Sequence, residues 1–351
     1  MKIKEVFKKK NLNNNFIKPY FIAEAGVNHE GDIDKAKLLI ELAKKGGADA
    51  IKFQTYKANL IASKNSPSYW DLKQESTKSQ FELFQKYDKF WKKEFEVLKK
   101  VCDREGIEFL STPFDKTSAL FLNDLMDAYK ISSSDLNNYD FIKYICRFKK
   151  PIILSTGASD IKEIKKSAKL ITNKNIKLCL LHCILNYPTK DKDANLGMIN
   201  GLRNEFKNIL IGYSDHTKPK NLKILEYSAL LGAKVIEKHF TFNKKLPGND
   251  HYHAMDYKDL INYNKKISNI QKIIGSEKKT YLKSEVISRN NARRSLVAAT
   301  NIKKGAFIKR ANLTWKRPGT GISVENLEKI IGKKAKQKIS KDSIITIDKI
   351  F

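Results

Sequence analysis

No apolar run in this chain approaches the roughly 20 residues that a membrane-spanning helix needs, which argues against such a helix. The opening MKIKEVFKKKNLNNNF is charged early and lacks the apolar stretch of a secretion signal. It reads as a frayed, solvated lead-in, and the protein as cytoplasmic. The four cysteines, Cys102, Cys146, Cys179 and Cys183, form no CxxC pair, so they read as small core hydrophobes of a reduced protein. No GxGxxG follows the first apolar run, which argues against a doubly wound dinucleotide-binding sheet. Acidic residues are also scarce: 38 Asp and Glu face 68 Lys and Arg, a formal net charge of +30. The basic residues are scattered over the polar faces of expected helices and form no tract. The excess therefore reads as a compositional bias and not as a nucleic-acid interface, while a mild positive field around an anionic metabolite remains compatible with it.

What the chain does contain is alternation. Short apolar runs rich in β-branched and aromatic residues occur at 20–27, 50–56, 107–114, 128–133, 151–156, 177–183, 209–214 and 234–241. Helix-compatible segments lie between them. In the first, Ala36, Leu39, Ile40 and Ala43 share one face, with Asp32 or Asp34 as cap and Gly46-Gly47 as stop. Another helix is expected over 90–104, with Phe95, Leu98 and Cys102 inward. Eight strand-helix units in about 250 residues predict an α/β fold of the closed (β/α)8 TIM-barrel type. The long connection 57–88 suits a lid or specificity loop, or an ordinary surface excursion. A last helix over 256–274 presents Leu260, Tyr263, Ile267, Ile270 and Ile274. The expected organisation is a lead-in at 1–18, a barrel at 19–275, a linker at 276–294 and a small domain at 295–351. In that small domain NIKKGAFI (301–308) resembles KISKDSII (338–345), as if two related halves pack on each other.

Barrel enzymes gather their chemistry at the C-terminal ends of strands. The first run delivers Glu24 there, and the second Lys52 and Gln54, alternate positions that face the same way. The third and fourth deliver Thr112, Lys130 and Ser133, and the fifth Ser155. Two inward lysines beside hydroxyls suit a phosphate and a carboxylate. The seventh and eighth runs end in Ser214-Asp215-His216 and Glu237-Lys238-His239, which on neighbouring strands put two imidazoles at one sheet edge. That pair suits a divalent ion such as Mn²⁺ or Zn²⁺. A lone strand lysine usually snorkels from an edge and a lone histidine is usually a satisfied core residue; the paired placement favours function for both. His182, inside its run, reads as structural. His29, His251 and His253 lie in loops, where the sequence leaves their roles open.

The motifs FIAEAGVNHEGD, IKFQTY, FLSTPFD, YKISSSD, ILSTG, LLHC with YPT, GYSDHT, EKHFT, PGND and KRPGTG, in order from residue 19 onward, resemble the sialic acid synthase family. That resemblance implies a TIM barrel followed by an antifreeze-like (SAF) domain. It implies condensation of phosphoenolpyruvate with an N-acylated mannosamine-type sugar to a nonulosonic acid. It implies His216 and His239 as ligands of a divalent metal, usually Mn²⁺, with Mg²⁺ or Co²⁺ as alternatives, and Glu24 as the carboxylate beside it. Lys52, Thr112, Lys130, Ser133, Ser155 and Ser214 would hold phosphoenolpyruvate, with Glu24, Lys52 and Lys130 as the catalytic groups. Gln54, Tyr187 and Asp250 would contact the sugar. Arg317 would reach the partner's site in a domain-swapped homodimer, with no nucleic-acid or membrane partner. Three departures stand out: Leu185 at a phosphate-contact position, Ser133-Ser134-Asp135 where many relatives have SGE, and the HYHAMD segment after Asp250. The alternatives are a related metal-dependent aldolase or phosphoenolpyruvate-condensing synthase acting on a phosphorylated sugar, and a non-catalytic binder using the basic surface.

Overall fold

A computed structural model describes residues 1–8, 16–220, 222–248 and 250–351. The chain divides into two compact units, Met1–Gly275 and Ser276–Phe351. The first is built on eight parallel strands: β1 (Tyr20–Gly26), β2 (Ala50–Thr55), β3 (Glu108–Pro113), β4 (Tyr129–Ile131), β5 (Ile152–Ser155), β6 (Leu178–Cys183), β7 (Leu210–Asp215) and β8 (Val235–His239). Their ladder runs β3-β2-β1-β8-β7-β6-β5-β4, and β3 lies against β4, so the sheet closes on itself. This is the TIM barrel that the alternation predicts. Gly212 explains one tight point of the wall. A Cβ there would meet the Val235 carbonyl oxygen at 2.3 Å and Leu181 Cδ2 at 2.5 Å, so only hydrogen fits between β6, β7 and β8.

The helices form where capping and apolar spacing agree. The helix Ile33–Gly46 starts at Asp32, whose carboxylate accepts the Asp34 and Lys35 N–H groups, and stops at Gly47 with φ +87°. It buries Ala36, Leu39, Ile40 and Ala43, the face read from the sequence; each such leucine or isoleucine contributes about 1.5–3 kcal/mol. The helix Lys92–Glu105 buries Phe95, Leu98, Val101 and Cys102. The helix Tyr257–Ile274 follows an Asp256 cap and buries Leu260, Tyr263 and Ile267, while Ile274 is exposed.

One expectation needs correction. The lead-in is not simply solvated: Ile3–Val6 is a helical turn, and Ile3 and Val6 are buried in the barrel core because their i, i+3 spacing puts both apolar side chains on one face. Residues 9–15 of the lead-in lie outside the described residues. The stretch 276–294, expected as a linker, holds a 3₁₀ turn, Lys283–Glu285, and a helix, Val286–Ala292. Glu285 caps that turn by accepting the Leu282 N–H at 2.7 Å.

The second unit pairs β9 (Ser295–Ala298) with β10 (Leu313–Lys316) antiparallel. Its two similar stretches meet at equivalent isoleucines. Ile302 and Ile339 exchange both backbone hydrogen bonds at 2.9 Å, and Ile308 and Ile345 are both buried in the same small core.

Candidate active site

Twelve of the thirteen residues singled out in the sequence line one pocket at the C-terminal ends of the strands; Arg317 alone does not, lying exposed after β10 in the second unit. The pocket encloses about 1000 Å³ counted to its open mouth, room for two metabolites side by side.

Its floor is a network of buried charge. Glu24 and Lys52 are register partners on β1 and β2, and Glu24 Oε2 lies 2.5 Å from Lys52 Nζ. Lys52 also donates to Thr112 Oγ1 at 2.9 Å and stands 3.7 Å from Glu237 Oε2. The other Glu237 oxygen is 3.6 Å from Lys130 Nζ and accepts the Ser214 hydroxyl at 3.1 Å. Glu237 thus bridges two lysines that the sequence reading treated separately. Period-two alternation from His239 could have found it, because residues 237 and 239 face the same way. Lys238 between them turns outward and pairs with Asp215 at 2.7 Å, both fully buried, while Tyr213 and Thr217 donate to the same carboxylate.

The carboxylates are unequal. Burial pushes Glu24 up, with Lys52 opposing and Glu237 reinforcing the rise. Burial also pulls on Glu237, yet Lys130 and Lys52 carry it below its usual range. Burial lowers Lys130 against the pull of Glu237. Two lysines and two unequal carboxylates thus share one buried floor. Hydroxyls complete it. Ser155 Oγ is buried with no hydrogen-bond partner among the described residues. Ser133 Oγ accepts the Gly157 N–H at 2.9 Å and lies 3.2 Å from Cys183 Sγ. Gly157 is held close: a Cβ there would sit 3.0 Å from Ser133 Oγ and 3.2 Å from Leu185 Cβ. The departing residue Leu185 therefore forms an apolar wall beside the anion hydroxyls.

On the opposite side the imidazoles gather. His216 Nδ1 bonds the Ile184 carbonyl oxygen at 2.6 Å, and a carbonyl only accepts, so Nδ1 carries the proton and Nε2 keeps its lone pair. Burial brings the His216 pKa down to about 4, and His239 well below its usual value. The rings of His216 and His239 are 5.6 Å apart, and Tyr187 packs against them at 4.2 and 5.8 Å. Asp250 Oδ2 is 3.6 Å from His239 Nδ1. Burial and the nearby Glu24 push the Asp250 carboxyl up to about 7. Gln54 Nε2 donates to Glu24 Oε1 at 3.1 Å and so joins the carboxylates to the mouth.

The other histidines separate cleanly. His182 bonds the Ala194 carbonyl oxygen at 2.9 Å, the structural role expected of it. His29 stacks on Phe90 at 4.2 Å, and His251 bonds Thr241 Oγ1 at 2.8 Å. His253 is completely buried beside His239, with ring centres 4.9 Å apart, a placement no periodicity in the sequence could show.

The connection 57–88 closes over this pocket. It carries the helices Ala58–Ile61 and Gln80–Tyr87, and its Trp70 indole donates to the carbonyls of Glu75 and Thr77, each at 3.1 Å. Burial raises the Glu75 carboxyl, but bonds from Thr77 and the Lys86 ammonium 3.2 Å away hold it below its usual range. Tyr69, Trp70, Leu83, Phe84 and Tyr87 from this loop form an aromatic mouth.

A closed barrel with paired lysines on the floor of its pocket, an imidazole cluster and an aromatic mouth defines the site of a barrel enzyme. Residues 39–279 match the NeuB family, and residues 293–350 match the SAF domain. The chain is 40% identical over 336 residues to N,N'-diacetyllegionaminic acid synthase of Campylobacter jejuni, covering 93% of this chain and 99% of that one. It is 35% identical over 329 residues to the enzyme of the same name from Legionella pneumophila, covering 92% and 91%. The crystal structure of an N-acetylneuraminic acid (sialic acid) synthetase from Leptospira borgpetersenii shares 32% identity and a TM-score of 0.67, covering 77% of this chain and 90% of that one. The protein belongs to the NeuB family and is an enzyme of the sialic acid synthase-like transferase class, with a C-terminal SAF domain.

Proposed function

We propose that the protein condenses phosphoenolpyruvate with a 2,4-diacetamido-trideoxy hexose of the mannosamine type, giving a nonulosonic acid and phosphate by C–O cleavage. The observation that carries this reading is the Lys52–Glu237–Lys130 array facing the His216–His239 pair across one pocket. Lys52 and Lys130 hold the phosphate and carboxylate, and Thr112, Ser133, Ser155 and Ser214 supply oriented donors. Gln54, Tyr187 and Asp250 contact the sugar. C3 of phosphoenolpyruvate attacks the open-chain aldehyde, water adds at C2, and the tetrahedral product expels phosphate. Glu24, with its raised affinity for protons, orients that water and takes its proton.

The donor set fits a divalent ion, because His216 keeps Nε2 available and burial holds both rings neutral. His216 and His239 would hold it, and it would supply Lewis-acid polarisation of the aldehyde; Mn²⁺ is the first candidate, then Mg²⁺ or Co²⁺. Two observations favour the sugar named. The relatives at 40% and 35% identity are diacetyllegionaminic acid synthases, and the mouth is aromatic and apolar, which suits a 6-methyl better than a hydroxymethyl group. Lys52 and Lys130 are the only lysines or arginines of this chain lining the pocket among the described residues, so a sugar phosphate would have to rely on the partner's Arg317. The reading includes a cytoplasmic, domain-swapped homodimer in which Arg317 of the partner subunit completes the sugar site.

Phosphate release with phosphoenolpyruvate across N-acetylmannosamine, its 6-phosphate and 2,4-diacetamido-trideoxy hexoses of manno and altro configuration tests the reaction. Turnover is expected with the 2,4-diacetamido-trideoxy sugar of manno configuration first, and no turnover with any of them overturns the proposal. Mixing an Arg317→Ala subunit with a Lys52→Met subunit tests the swap, since one of the two sites in the mixed dimer should recover.

A further inference from the structure

The chain after β8 is tied down on both sides. Phe240 and Met255 form a parallel bridge, Met255 N–H donates to the His239 carbonyl at 2.8 Å, and Thr241 N–H donates to that of Met255 at 2.8 Å. Tyr252 Oη donates to the Tyr187 carbonyl at 3.0 Å. His253 is therefore not on a loose loop; it sits in the turn that leads into this bridge, two residues before Met255. One ligand atom from each of His239, Asp250 and His253 lies within 4.8 Å of the others. Donors around one ion at bond lengths of about 2.1 Å stand ~3–4 Å apart, so contraction by about an ångström suffices.

We propose that His253 is a direct ligand of the metal, sharing it with His239 and Asp250, and that this third imidazole makes the site select borderline transition ions over Mg²⁺. The inference rests on the metal-dependent reading above and adds to the His216–His239 pair. Imidazole-rich sets favour Co²⁺ and Zn²⁺, whereas Mg²⁺ prefers oxygen ligands and keeps its waters. Asp250 thereby serves the ion as well as the sugar.

The test is direct Co²⁺ binding to the full-length protein without substrates, read by visible spectroscopy and titration. His253→Asn is expected to raise the Co²⁺ Kd at least about tenfold. His253→Cys is expected to bring a thiolate-to-cobalt charge-transfer band that the wild-type protein, with its four native cysteines, lacks. X-ray absorption of the Zn²⁺-loaded wild type is expected to count one more imidazole than His253→Asn. An unchanged imidazole count, or a folded His253→Cys protein that binds Co²⁺ without the new band, overturns the proposal even if the Kd changes, because His253 would then act only from behind His239. Mg²⁺ displacing Co²⁺ from the wild type at comparable concentration overturns the selectivity. Failure of the sugar panel with the cobalt signature intact would sink the reaction and leave the ligand set standing.

Discussion

Both ends of the barrel bury a glutamate, and the two are handled in opposite ways. At the N-terminal end Glu108 accepts the Tyr20 hydroxyl at 2.6 Å and the Ile3 N–H at 2.7 Å. Burial pushes its carboxyl up even so. Its hydrogen-bond partners there are neutral donors held by β1 and the first helical turn. At the C-terminal end Glu237 is shared between Lys52 and Lys130 at 3.6–3.7 Å, contacts loose enough for a phosphate or carboxylate to take over the lysines. Closure by neutral hydrogen bonds stabilises; closure by exchangeable charge leaves a site.

Substitutions should split along this division. Lys52→Met is expected to lower kcat/KM for phosphate release by at least about 1000-fold, since it removes charge aimed at the anion, while near-UV circular dichroism stays native. Glu108→Ala should do the reverse: urea unfolding should show a loss of ~2–4 kcal/mol as Tyr20 and Ile3 lose their acceptor, with kcat within about twofold of wild type. If Glu108→Ala kills activity without loss of stability, the contrast between the ends fails. A smaller effect is expected at the mouth, where Trp70→Ala should raise the sugar KM about tenfold, ~1.4 kcal/mol, and leave that of phosphoenolpyruvate unchanged. The smallest concerns pH. Because the folded Glu75 carboxyl lies below its ordinary value of 4.5, its contribution is present above that value and is lost as pH falls through the lower folded one. Tryptophan fluorescence should report loosening around Trp70 only in acid, and Glu75→Gln should abolish the pH dependence.

The barrel was legible because strand and helix periods are local, and Lys52 with Gln54, or His216 with His239, follow from alternation and adjacency. Glu237 lay in the same run as His239, but its role depends on two lysines from β2 and β4 converging across the barrel, a distance relation that no local pattern carries. His253 depends on a bridge between Phe240 and Met255, and the buried Ile3 on the lead-in folding under the core. The lid was legible as a long loop; its Trp70 and Glu75 stitching was not, because the loop makes its contacts mainly with itself. The departing Leu185 needed Gly157 beside it to be read as a wall.

The bridge that ties residue 255 back to β8 also frames what lies between. The segment from Phe242 to Gly248 leaves the bridge at Thr241, pairs through Lys244 with Asp256 and Asp259, and brings Gly248 to the pocket wall. Such a segment is a natural place for new substrate ranges to arise. It is also the place where a laboratory library of substitutions would probe the acceptor range proposed above.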